Sequence, residues 1–224
     1  MIFMRRYAPD ILPQGEHAKN EFNFSLHFIR SALAEKSPEE SRTIIQYLMN
    51  IVRNDLKYSL LANVIYSREH GTVNFRGTFF PFEYPDERGQ MKHLPCTEEP
   101  IRRVDFAQDF VIVVPWDIKR LARAITYFIN NTFTYIWQSH TGYYYTNVDF
   151  AYIGTGRHSS SVGSVMKKGI VYVKEVDITP LFDCIYTDGI DWYSTFTGKR
   201  ISTLLDFRVG VLFELAKKLH QLTG

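Results

Sequence analysis

Only two cysteines occur in 224 residues, Cys96 and Cys184. They form neither a C-x-x-C pair nor a regular framework, which excludes a disulfide scaffold and points to reduced thiols in a cytoplasmic setting. Charge of one sign is also lacking: 26 basic against 24 acidic residues leave a net charge of +2. Composition therefore gives no clustered surplus of Lys and Arg for a phosphate backbone, and any anion site must be local. No eighteen apolar residues run together, and Met1-Ile-Phe-Met-Arg-Arg6 lacks the order of a secretory signal, so neither membrane insertion nor export is expected. Repeats and low-complexity tracts are absent as well, which removes solenoids. What remains is a chain long enough to bury its own core without staples.

Aromatic residues are what the sequence has in excess, 15% of the chain, with 14 Tyr and 17 Phe. Phe22, Leu26, Ile29 and Leu33 recur at helical spacing. Ser37-Pro38-Glu39-Glu40 then reads as a capping box opening a second helix to about Tyr66, continuous or broken, with an apolar stripe of Ile44, Leu48, Ile51, Val52 and Ile65. Alternation from Val73 to Phe79 predicts a strand, and the prolines between Pro81 and Pro100 predict some twenty residues of loop. Asp109-Phe-Val-Ile-Val-Val114 is continuous and β-branched, as in a strand covered on both faces. Asp117 caps a following helix whose Ile118, Leu121, Ile125, Phe128 and Ile129 share one side. Further strands are expected at Asn147–Ile153 and Ile170–Val176, a tight turn at Asp188-Gly189, and a closing amphipathic helix from Leu205 to Leu222. The expectation is an α+β fold: a helical segment over 1–70, and a mixed α/β part over 71–224 that carries the site, the two forming one compact unit.

The segment Gly154-Thr155-Gly156-Arg157-His158-Ser159-Ser160-Ser161 holds the most suggestive chemistry. Glycines after a strand let backbone approach a ligand, amides at a helix start attract an anion, and Arg157 offers a phosphate-matching fork. The tract lacks the Gly-Lys-Ser/Thr ending of a Walker loop and the glycine spacing of the dinucleotide fingerprint. His158 has the pKa range of a general acid or base, and His140, beside the Tyr143-Tyr144-Tyr145 run, is its candidate companion. Two histidines eighteen residues apart do not specify a metal site, and no cofactor class is indicated. Tyr144 and its neighbours could stack a base, or pack a sheet. Asp177 or Asp188 could orient His158. Glu214, among apolar neighbours on the last helix, would be either paired or functional.

From Val111 to Leu222 the chain resembles a bacterial family of uncharacterised domains. The matching pieces are Val114-Pro115-Trp116-Asp117 with Arg120, His140, Gly156-Arg157-His158-Ser159 with Gly163, Asp177, Asp188-Gly189 and Phe213-Glu214. The Gly-Arg-His-Ser turn is also similar to the Gly-x-His-Arg turn of nucleotide-binding members of the ParB/sulfiredoxin-like fold, although Ser159 stands in place of that family's arginine. That similarity implies a bound nucleotide. The expected function is a protein binding a phosphate-bearing ligand, nucleotide or nucleic acid, either by binding alone or as a His-dependent hydrolase or transferase. His158 and His140 would carry the chemistry, and Gly154, Gly156, Arg157, Ser159, Ser160 and Tyr144 would bind the ligand. A toxin or phage-defence role is expected by association alone. The alternative is a non-catalytic interaction module whose aromatic surface binds a protein partner in a toxin-antitoxin or defence complex.

Overall fold

The computed structural model describes residues 15–66 and 78–223. Helices α1 (Gly15–Leu33) and α2 (Pro38–Tyr66) lead, and α2 runs unbroken for 29 residues. The expected capping box opens it: the Ser37 amide donates to Glu40 Oε2 at 2.9 Å and the Glu40 amide donates back to Ser37 Oγ at 3.3 Å. Phe22 and Ile29 of α1 are buried as their spacing required. The buried stripe of α2, in contrast, is Ile45, Met49, Leu56, Leu60 and Val64, while Ile51 and Ile65, expected inside, face solvent. This helix carries two apolar stripes, and the spacing of one does not say which packs inward.

The strand expected from Val73 to Phe79 lies for the most part outside the described residues. The loop expected between Pro81 and Pro100 contains a short antiparallel hairpin, β1 (Glu83–Pro85) and β2 (Met91–His93). Asp86 closes its turn by accepting from the Arg88 and Gln90 amides. Next come β3 (Arg102–Asp105), β4 (Val111–Val113), α3 (Ile118–Asn130), β5 (Gly142–Tyr145), β6 (Phe150–Ile153), α4 (Arg157–Met166) and β7 (Ile170–Val176). The strand expected from Asn147 begins only at Phe150, because residues 146–149 form a turn. The five strands form one mixed sheet in the order β3-β7-β5-β6-β4, with β4 parallel to β6 and β5 parallel to β7. All residues of β4 and β6 are buried, as expected of strands covered on both faces.

The chain ends with a short turn of helix α5 (Leu181–Cys184), a three-stranded antiparallel meander of β8 (Ile185–Thr187), β9 (Asp191–Ser194) and β10 (Arg200–Thr203), and α6 (Phe207–Gln221). Tyr145, Phe150, Tyr152 and Val176 face a core shared with α1, α2 and α6. Val104, Val113, Ile153 and Val173 pack on the other side of the sheet with Phe106, against Phe133 and Tyr135. Helix α6, expected to be amphipathic, is buried at every position but one from Val209 to Ala216, because it is enclosed by α1, α2 and the meander. Phe213 meets Trp192 edge to face at 5.1 Å there. On α3 only two of the five residues of the expected apolar side are covered: Leu121 and Phe128 are buried, and Ile118, Ile125 and Ile129 are exposed.

Candidate functional site

Strand register builds the floor of a cavity of about 630 Å³ at the end of the mixed sheet where β5 begins and β6 ends. Tyr143 of β5 is cross-strand partner to Tyr152 on one side and to Lys174 on the other, which sets two phenols and an ammonium in a row. The crossover from β6 to α4 brings Gly154, Thr155 and Arg157 to one wall, and Glu98, Glu99 and Pro100 form another. Trp137, His140, Thr141 and Tyr172 also line it, with Thr78, Gln138 and Gly142. Burial pushes the Tyr152 phenol up to about 12, with the Arg157 guanidinium working against the rise. Tyr143 is also raised, mainly by burial. Both phenols therefore stay protonated hydrogen-bond donors at neutral pH. Cations and aromatic faces meet in one concave site, the combination that grips an anionic group joined to a flat ring.

His140 enters this site as a keystone of the loop. Its Nδ1 lies 3.0 Å from the Ile136 amide and 3.2 Å from the Ile136 carbonyl, and its Nε2 lies 3.0 Å from Ser159 Oγ, so both ring nitrogens are engaged by the loop. The Ser159 hydroxyl in turn donates to the Gly156 carbonyl at 2.9 Å. Burial lowers the His140 pKa, although the Ile136 carbonyl, an acceptor for the ring N–H, opposes the shift. Gly156 precedes α4 with φ +62°, and a Cβ there would stand 2.3 Å from His140 Cδ2 and 2.6 Å from the Ser139 carbonyl. Glycine is thus needed at this position both for the left-handed backbone and for the ring against it.

Three of the eight candidate residues, His140, Gly154 and Arg157, line the cavity. Gly156 and Ser159 support it from behind, and His158, Tyr144 and Ser160 are placed elsewhere. His158 is turned to the start of α3: its Nε2 accepts from the Asp117 amide at 3.3 Å and its ring meets Trp116 edge to face at 5.4 Å. Burial lowers its pKa despite the nearby Asp117 carboxylate. Tyr144 lies in the opposite sheet face, its hydroxyl bonded to Asp149 and its ring 4.2 Å from the Arg102 guanidinium, with its phenol pushed up to about 12. Ser160 is fully buried, and its hydroxyl has no partner among the described residues. The carboxylates expected near His158 are engaged elsewhere, Asp177 with Thr179 and Asp188 with the Ile190 amide and Lys19. Glu214 is half-buried and its carboxyl is raised by burial, with Lys217, Lys218 and Arg30 opposing.

Asp117 is the carboxylate that acts on His158. It also caps α3, accepting from the Arg120 amide at 2.9 Å. Replacing Asp117 with alanine is expected to lower the His158 pKa further, because the nearby negative charge is lost, and to lower the melting temperature. An NMR titration of the imidazole reads the first, and an unchanged or raised value would contradict it.

The profile of a family of unknown function, DUF6710, matches residues 11–223. The chain belongs to that family. The resemblance expected over the second half therefore extends to the N-terminal helices of the DUF6710 chain. No curated protein and no solved structure matches it, so the likeness to the ParB/sulfiredoxin-like fold is not shown. Among the described residues no helix is long and apolar enough to cross a membrane, and both described cysteines are free thiols.

Sequence reasoning missed Lys174, Trp137, Tyr172 and the Glu98-Glu99 wall of the DUF6710 cavity. Lys174 alternates with buried Val173 and Val171, so its position on a sheet face was readable. That the strand lies beside Tyr143 was not readable, because β5 and β7 pair in parallel across an intervening hairpin strand and helix.

Proposed function

We propose that the DUF6710 cavity binds a small ligand that joins a phosphate or similar anion to a flat ring, of which a nucleotide is the obvious class. The observation that carries this reading is the convergence of Arg157 and Lys174 with Tyr143, Tyr152, Tyr172 and Trp137 on one cavity of about 630 Å³, within the size range of small-molecule sites. Arg157 and Lys174 would meet the anion, and the rings would hold the planar part.

The reading is one of binding and not of histidine-dependent turnover. Both nitrogens of His140 are engaged by the loop, and His158 accepts from backbone outside the lining. Nothing in the cavity speaks for a toxin or phage-defence role. The Tyr143-Tyr144-Tyr145 run does not form the aromatic docking surface of the alternative reading, since Tyr144 and Tyr145 are buried.

Calorimetric titration with inorganic phosphate and nucleoside mono-, di- and triphosphates tests the proposal. Binding of at least one nucleotide is expected, weakened roughly 10- to 100-fold by Arg157→Ala or Lys174→Ala, the range for losing a hydrogen bond to a charged group. No binding, or equal affinity in both variants, would sink it. Turnover of a bound nucleotide that vanishes in His158→Ala would restore the histidine-dependent reaction.

A further inference from the structure

The floor of the DUF6710 cavity has a step in it. The Gly154 amide donates to the Thr141 carbonyl at 2.8 Å, which carries the pairing of β5 with β6 one position past Gly142 and Ile153. Side chains alternate in facing along a strand, so Gly154 and Thr141 stand on the same face as Tyr152 and Tyr143, two residues away on each strand. One row of the floor is thus a pair of phenols, and the next is a bare Cα beside a threonine, a hollow at the foot of the rings.

Neither backbone nor packing accounts for the bare Cα. Nine of the ten described glycines take a positive φ or sit where a Cβ would fall under 3.0 Å from another atom. Gly154 does neither: its φ lies outside the left-handed region, and a Cβ would meet only the Thr141 carbonyl and Tyr152 Cε1, each at 3.7 Å, an ordinary contact. The fold accepts a side chain there, and the space it would fill belongs to the cavity. The hollow also offers no N–H: the Gly154 and Thr155 amides both donate to the Thr141 carbonyl, at 2.8 and 3.3 Å, and the Thr141 amide donates to Thr155 Oγ1 at 2.8 Å. An anion is held by donors, so the hollow suits an uncharged flat group, which can lie close to the backbone where no side chain holds it off.

We infer that Gly154 is the seat of the ligand's flat ring, and so the residue that makes the cavity select phosphate esters carrying a base over ring-free sugar phosphates. The inference rests on the nucleotide reading above and adds the orientation of the ligand. The base lies over Gly154 and Thr141 beside Tyr152, and the anion points toward Arg157 and Lys174, the latter one strand beyond Tyr143. A Cβ at the seat lifts the ring and leaves the anion's contacts in place.

Calorimetry with nucleoside monophosphates and with ribose 5-phosphate tests the inference. The parent is expected to bind at least one nucleoside monophosphate more tightly than ribose 5-phosphate. In Gly154→Ala that nucleotide should lose roughly 10-fold or more, the range for one surplus carbon in a fitted pocket, and approach ribose 5-phosphate, whose own affinity stays as in the parent. Gly154→Val, which fills more of the hollow and suits a strand end, should lose more. The melting temperature of Gly154→Ala should equal or exceed the parent's, because alanine restricts the unfolded chain and the native backbone accepts it. Unchanged nucleotide affinity in Gly154→Ala, an equal loss of ribose 5-phosphate, or a variant that melts well below the parent overturns the inference. Unchanged affinity there, beside losses in Arg157→Ala and Lys174→Ala, removes the ring seat and leaves the nucleotide reading standing. A parent that binds no nucleotide removes both.

Discussion

Arg208→Ala is expected to destabilise the protein by about 3–5 kcal/mol, the cost of leaving a buried charge without its partner. Asp206, whose side chain is wholly inaccessible, caps α6 by accepting from the Arg208 amide at 2.9 Å. The Arg208 guanidinium bonds both Asp206 oxygens, at 3.2 and 3.1 Å, and reaches Asp55 on α2. Burial raises the Asp206 carboxyl above its ordinary value and Arg208 holds the rise in check. Without the guanidinium the rise grows. A carboxyl whose folded pKa lies above its unfolded one binds its proton more tightly when folded, so the folded state gains as pH falls. The deficit of the variant relative to the parent should therefore be largest at neutral pH and shrink as pH falls through the raised value. Urea unfolding across that window measures it. The double variant Asp206→Asn, Arg208→Ala keeps a capping side chain and removes the orphaned charge, and should recover much of the loss. A single-variant cost below about 1 kcal/mol, the range of an exposed pair, would show that Arg208 is not what makes the buried Asp206 tolerable.

Gly156→Ala carries the second large effect. An alanine at φ +62° costs about 1–2 kcal/mol from its backbone conformation. Its methyl must also displace the buried His140 ring or the Ser139 carbonyl, adding about 1–3 kcal/mol of overpacking. Gly198 supplies the control, since its φ of +65° is nearly the same but a Cβ there meets nothing within 4 Å. Gly198→Ala should therefore show the backbone cost alone, and the difference between the two variants in chemical denaturation isolates the contact with His140. Nucleotide binding should fall in Gly156→Ala and not in Gly198→Ala. Equal costs at the two positions would remove His140 from its place as keystone of the loop.

Local chemistry made several of these elements legible in advance. Ser37 and Glu40 announced the start of α2, Asp117 the start of α3, and Val111-Ile-Val113 a strand covered on both sides, because each rests on residues adjacent in the chain. The hairpin at Glu83–His93 was hidden among prolines, and its register is carried by the side chain of Asp86 instead of by alternation. The face that α2 buries was not legible, since both of its stripes are apolar. At the candidate site the sequence pointed to Gly154, Arg157 and His140. It placed His158 with them because the two are chain neighbours, yet consecutive residues in the first turn of a helix project about 100° apart. Arg157 turns to the cavity and His158 to α3.

Helix α6 is the last described element, and it occupies the space between α1, the first described one, and α2. During synthesis the two leading helices emerge long before the segment that covers their inner faces, and β3 waits similarly for β7. Order is thus imposed by contacts between elements far apart in the sequence, a topology that delays closure until α6 has been made. A ribosome that stalls before Phe207 would release a chain whose Phe22, Ile45 and Leu56 lack α6, the covering they share in the finished protein. Quality-control proteases and chaperones would meet such chains as exposed hydrophobic helices, so the presence of α6 is itself checked by the architecture.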